Sequence, residues 1–154
     1  MARNRFKLFL YGGLTAAVMI FIFCMSAQDG TESGSLSEWV LNTRFGQIIM
    51  SILPGLTGAG DELDIRKYAH MSEYALLAVC SVFFFRELLL EYVPKSASAS
   101  SFVLCFLYAC SDEFHQSFVP GRAGLFSDVL IDSSGALIAI LLVFFCFFVR
   151  KDLK

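Results

Sequence analysis

The sequence is short of charge and has no cysteine pattern. Only 17% of its 154 residues are charged and the net charge is −2, so no basic excess is available for nucleic acid. Its five cysteines, Cys24, Cys80, Cys105, Cys110 and Cys146, all fall inside apolar runs. None has CxxC or similar spacing, which argues against a zinc or disulfide framework and for small apolar thiols packed in the interior. No small residue of the lipoprotein type precedes Cys24, so lipidation there is not expected. What is abundant is apolar surface. Hydrophobic residues make up 56% of the chain, 17 of them Phe, and mean hydropathy is +0.66. A soluble domain of this length is rarely so apolar, and one membrane domain over residues 1–154 follows.

Four runs are long enough to span a bilayer, at about 8–25, 65–93, 99–118 and 125–149. The first follows the basic start MARNRFK. A cleaved signal peptide ending near Ser26-Ala27-Gln28 is the alternative for that run. Between the first two spans the chain is too polar to cross. There Ser35 and Glu38 have capping-box spacing. Leu41, Phe45, Ile48, Ile49 and Ile52 then fall on one helical face, and Pro54-Gly55 ends the pattern. The spacing predicts an amphipathic helix over about 36–53, either on the outer membrane surface with Trp39 near the headgroups or packed over the bundle. The glycine-rich turn GLTGAGDELD leads into the second span. The small-residue stretch PKSASASS reads as the linker to the third.

The strictly apolar core of the second span, Ala75 to Phe85, reaches only roughly 16 Å of a roughly 30 Å hydrocarbon layer. His70 and Glu73 are therefore drawn towards lipid depth at one end, and Arg86 and Glu87 at the other, where Arg86 can snorkel. A cytoplasmic N-terminus puts eight Lys and Arg inside: Arg3, Arg5, Lys7, Arg86, Lys95, Arg150, Lys151 and Lys154. Arg44, Arg66, Lys67 and Arg122 fall outside. This positive-inside bias predicts an all-α, four-helix membrane bundle with both termini in the cytoplasm.

That topology gathers the polar residues at the outer leaflet. Arg66, His70, Glu73 and Leu77 share one face of the second helix. Asp112, His115 and Gln116 share a face of the third, one turn after Tyr108. Asp128, Asp132 and Gly135 share a face of the fourth, continued by Ala139. Gly135 and Ala139 would admit a close neighbour, as would Gly12-Gly13 in the first span. Ser26 and Gln28 either line the same pocket or cap the first helix. Ionisable groups at such depth are expensive and persist where they have a function. His70, Glu73, Asp112, Glu113 and His115 are the candidate catalytic centre. Arg66, Lys67, Gln116, Arg122, Asp128 and Asp132 are the candidate binding residues. The three cations suit a phosphate, the headgroup of an anionic lipid or lipid carrier. No cofactor follows from the pattern. The i,i+3 pairs His70–Glu73 and Asp112–His115 leave a divalent metal open without favouring one.

The stretches RKYAHMSEYALL (Arg66 to Leu77) and SDEFHQSFVPGRAGLFSDVLIDSSG (Ser111 to Gly135), with FCMSAQDGTESGSLS (Phe23 to Ser37), resemble the VanZ-like family of small bacterial membrane proteins. The resemblance runs from about Leu8 to Val149. Asp132 stands where members of that family often have Asn. The resemblance implies a multi-pass protein of the cell membrane of a Gram-positive bacterium, and its namesake is linked to resistance to the glycopeptide teicoplanin. The residues themselves leave two classes open. One is an enzyme acting on a phosphorylated lipid or lipid-linked cell-envelope precursor, with His70 or Glu73 as general base. The other is an accessory protein that binds or moves such a lipid.

Overall fold

The computed structural model describes residues 4–52, 61–91 and 93–152. Six helices and no strands occur among them: α1 (Arg5–Ser26), α2 (Gly30–Leu41), α3 (Arg44–Ile52), α4 (Asp61–Leu89), α5 (Lys95–Gln116) and α6 (Phe126–Asp152). The expected stop at Pro54-Gly55 and most of the glycine-rich turn after it lie outside the described residues, as does Lys154. Two helices, α1 and α6, are long and apolar enough to cross a membrane.

Helix α4 is the hub, and α1, α2, α5 and α6 all pack on it. Its Tyr74, Leu77, Ala78 and Val82 are buried against Ile22 of α1, Cys105 and Ala109 of α5, and Val129, Ala136 and Ile140 of α6. Cross-helix contacts fix the directions. Ser26, at the end of α1, reaches Asp112 near the end of α5. Lys67, early in α4, reaches Asp128 at the start of α6. At the far end the Arg86 guanidinium lies 4.5 Å over the Phe147 ring. Helices α1 and α5 therefore run one way and α4 and α6 the other. Many large apolar residues, including Phe9, Ile20, Leu107, Leu141 and Phe145, face outward.

Small residues set the helix spacing. A Cβ on Gly135 would overlap the backbone carbonyl oxygen of Met71, so α6 lies directly against α4. On Gly12 it would sit 3.2 Å from Phe84, whereas Gly13 faces open space. The Ser81 and Ser101 hydroxyls bond to each other between α4 and α5, and Ser101 also donates to the Ala78 carbonyl at 3.1 Å. Interhelical hydrogen bonds of this kind average about 0.6 kcal/mol in apolar surroundings, so Ser101→Ala is expected to destabilise by about that amount. Thermal unfolding in detergent measures it.

Three local expectations change. The single helix over 36–53 is two helices. The Asp29 carboxylate accepts from the Thr31 and Glu32 N–H groups at 2.9 and 2.8 Å, so the first begins at Gly30, ahead of the Ser35–Glu38 pair. The Thr31 hydroxyl and the Glu32 N–H hold the Asp29 carboxyl below its usual pKa. Thr43 then breaks the run, because its hydroxyl accepts from Gly46 N–H and caps the second helix. The stretch from Lys95 is helix where a linker was expected. Glu91 accepts from the N–H groups of Ser96 and Ala97, each at 3.0 Å, a cap supplied from outside the stretch. Of the five free cysteines only Cys105 is fully buried, and Cys24 and Cys146 face outward on apolar helices.

Candidate functional site

The polar residues converge where α1 and α5 end and α4 and α6 begin. Arg122 stands at their centre, on the turn between α5 and α6. That turn is shaped by Gly121, whose φ of +73° suits glycine. Helix α2 docks on it: Gly30 N–H donates to the Pro120 carbonyl at 3.1 Å. A Cβ on Gly30 would lie 2.5 Å from the Gly121 oxygen, so only glycine allows this approach. The docked turn aims Arg122 inward, where it donates to Gln116 Oε1 at 3.2 Å and to the Met25 carbonyl at 3.4 Å. Gln116 in turn donates to Asp112 Oδ2 at 3.0 Å, and Ser26 Oγ donates to the same oxygen at 2.8 Å. Burial and the neighbouring Arg66 pull the Arg122 pKa below its usual value.

Beside this network lies a cavity of about 630 Å³. Arg66, His70, Glu73 and Arg122 line one part of it, with Gln28, Ser33 and Ser37. Leu36, Phe45, Ile49, Ile138 and Leu142 line the rest. The shared face expected for Arg66, His70 and Glu73 is thus turned to one cavity. His70 Nδ1 lies 3.5 Å from Glu73 Oε2. Three buried polar atoms on this lining have no hydrogen-bond partner: Arg122 Nε, His70 Nδ1 and Glu73 Oε2.

The other candidates divide. Asp132 lies behind the lining, 2% exposed, close to Asp112 and His70. Lys67 is taken up by Asp128 at 2.6 Å, so the expected anion-binding lysine faces a carboxylate instead of the cavity. Glu113 accepts from Leu125 N–H at 3.0 Å and secures the start of α6. The His115 ring lies tilted against Phe23 of α1, with centroids 4.7 Å apart and an interplanar angle of 40°, and is not brought to the cavity. Tyr108 donates to the Met19 carbonyl at 2.5 Å, tying α5 to α1. The residue pattern missed Tyr74, whose ring is fully buried and whose hydroxyl has no partner. It stands one turn after His70, and that spacing could have found it. Ser33 and Ser37, at i,i+4 on α2, carry a similar signal.

These features define a class: a helical bundle with membrane-length apolar helices and a cavity lined partly by charge and partly by hydrocarbon. The VanZ/LLP1 family model matches residues 12–148, and the chain belongs to that family. No curated protein and no solved structure matches it.

Proposed function

We propose that this chain is a four-span protein of the cell membrane, with both termini in the cytoplasm, that holds a phosphorylated lipid or cell-envelope precursor in an outward-facing cavity. The observation that carries the reading is the pairing of Arg122, whose Nε has no partner in the protein, and Arg66 on the lining of a cavity whose other wall, Leu36, Phe45, Ile49, Ile138 and Leu142, is apolar. A guanidinium with a donor to spare, close to a second arginine, suits a phosphate. The apolar walls suit an acyl or polyprenyl chain. Helices α4 and α5, with 29 and 22 residues, have the length to span beside α1 and α6. Trp39 is exposed on α2, as an interfacial aromatic would be. The proposal includes a link to glycopeptide (teicoplanin) resistance, through the family's namesake, where the lipid is a cell-wall precursor.

In this arrangement Arg122 and Arg66 bind the phosphate, and Gln116 and Asp112 hold Arg122 in place. His70 or Glu73 faces the headgroup as general base. A second reading, binding or moving the lipid without chemistry, is favoured by a specific observation. Lys67, Glu113, Asp128 and His115 are all engaged in contacts that hold the bundle together.

Turnover separates the two. Purified protein is given polyprenyl and glycerolipid phosphates with and without a divalent cation. Product that His70→Ala abolishes supports the enzyme. Saturable binding without product supports the accessory protein. Neither product nor binding contradicts both. Topology is tested with single thiols in a cysteine-free background. Thr31→Cys and Ala123→Cys are expected to label from outside and Ser96→Cys is not; outward labelling at 96 reverses the orientation.

A further inference from the structure

We propose that His70, Asp112 and Asp132 form a binding site for a divalent transition-metal cation, Zn²⁺ or Mn²⁺, in the bundle interior just behind the polar lining of the cavity, which only His70 of the three reaches. One donor comes from each of α4, α5 and α6, and the three ligand atoms lie within 4.8 Å of one another. Ligands at about 2.1 Å from a shared ion are at most about 4.2 Å apart, so a slight inward rotation of the side chains completes the set. This is not either of the i,i+3 pairs that helical spacing offers, since each of those draws both ligands from one helix. It is the arrangement by which helical bundles build metal centres, from facing helices.

An independent observation points to a ligand here. Asp112 is 3% exposed, and its two oxygens differ. Oδ2 accepts from both Ser26 and Gln116, which fixes the plane of the carboxylate. Oδ1 is buried and has no partner at all. A carboxylate oriented by hydrogen bonds on one oxygen, with the other left vacant, is what metal ligation uses. Two further unpartnered atoms stand nearby. His70 Nδ1, 3.5 Å from Glu73 Oε2, is the first, and a carboxylate beside one ring nitrogen orients an imidazole whose other nitrogen ligates. The Tyr74 hydroxyl, one helical turn from His70, is the second. Two carboxylates held this close in an apolar interior can both be ionised only beside a counter-charge, and a dication supplies it. An imidazole with two carboxylates suits Zn²⁺ or Mn²⁺ better than the all-oxygen sites of Mg²⁺ and Ca²⁺. Because His70 also lines the cavity, the bound cation would share a phosphate with Arg122; that use rests on the function proposed above, whereas cation binding does not.

The test uses full-length protein in detergent, purified without a polyhistidine tag and stripped with chelator. Titration with Zn²⁺ and with Mn²⁺ is followed by calorimetry and by metal analysis after gel filtration. One equivalent per chain is expected for at least one of them. His70→Gln and Asp132→Asn should each weaken binding by about 10- to 100-fold, and Glu38→Gln, on the exposed face of α2, should not change it. Less than a tenth of an equivalent bound, or undiminished binding in both variants, overturns the proposal. Should the variants fail to fold, Co²⁺ is added to the wild-type protein. Visible bands distinct from those of aqueous Co²⁺ support the site, and an unchanged spectrum overturns it. Binding of a polyprenyl phosphate to the stripped protein is measured alongside. Lipid binding without metal binding removes the cation site alone, and metal binding without lipid binding removes the lipid alone.

Discussion

Replacing Arg122 with alanine is expected to weaken binding of a phosphorylated lipid by about 30-fold, while a lipid alcohol of the same chain is bound as before. The magnitude follows from one or two charge-assisted hydrogen bonds worth about 2 kcal/mol in all. The side chain is anchored by Gln116 Oε1 and the Met25 carbonyl, and its Nε has no protein acceptor. Anchoring means that little entropy is lost when the phosphate arrives. Arg122→Lys keeps the charge but loses the planar fork, and should fall between wild type and alanine. Equilibrium binding of a fluorescent polyprenyl phosphate in nanodiscs measures all three. Equal affinity of wild type and Arg122→Ala would remove the guanidinium from the site.

The largest effect on stability is expected at Gly135. A methyl group there would overlap the Met71 carbonyl oxygen and sit 2.7 Å from its Cγ. The side chain of Met71 could turn aside, but the backbone oxygen is fixed by the α4 helix. Relief requires α4 and α6 to separate along the seam that holds Leu77, Ala136 and Ala139. Gly135→Ala should therefore destabilise by about 3 kcal/mol, the upper part of the range for overpacking, and Gly135→Leu should prevent folding. Gly34 is the control. It is helical and has open space around its Cα, so Gly34→Ala should be neutral or stabilising by up to about 1 kcal/mol. Thermal unfolding in detergent distinguishes them. A Gly135→Ala protein as stable as wild type would mean that the helices are not this close.

Much of the site is legible from residue type and helical period. Arg66, His70 and Glu73 recur at i, i+4 and i+7 amid apolar residues, and they do share the cavity. Gly135 is legible too, as a small residue on the face that carries Asp128 and Asp132. What escapes is partner choice. Periodicity places His115 on the Asp112 face, but in the bundle the ring finds Phe23 of α1, a contact between residues 92 positions apart. Lys67 looks like a free cation until Asp128 is brought to it across the α4–α6 seam. Glu113 resembles Asp112 in sequence, yet it caps the next helix. The proximity of His70, Asp112 and Asp132 is of the same kind, since no spacing within one helix reveals it. Local breaks escape for a different reason. Asp29, Thr43 and Glu91 end or begin helices through one or two side chain–backbone bonds each, which compete with apolar periodicity and leave it unchanged.

Reception of a lipid by its phosphate in the cavity beside Arg122 is the core of the proposed function. It is tested most directly by native mass spectrometry of the purified protein with equimolar polyprenyl phosphate and the matching polyprenol, in wild type and with Leu142→Trp filling the apolar wall. One bound phosphate lipid per chain is expected in the wild type, with little polyprenol and with loss of the adduct when the wall is filled. Equal occupancy by the two lipids, or an adduct unaffected by Leu142→Trp, would contradict it.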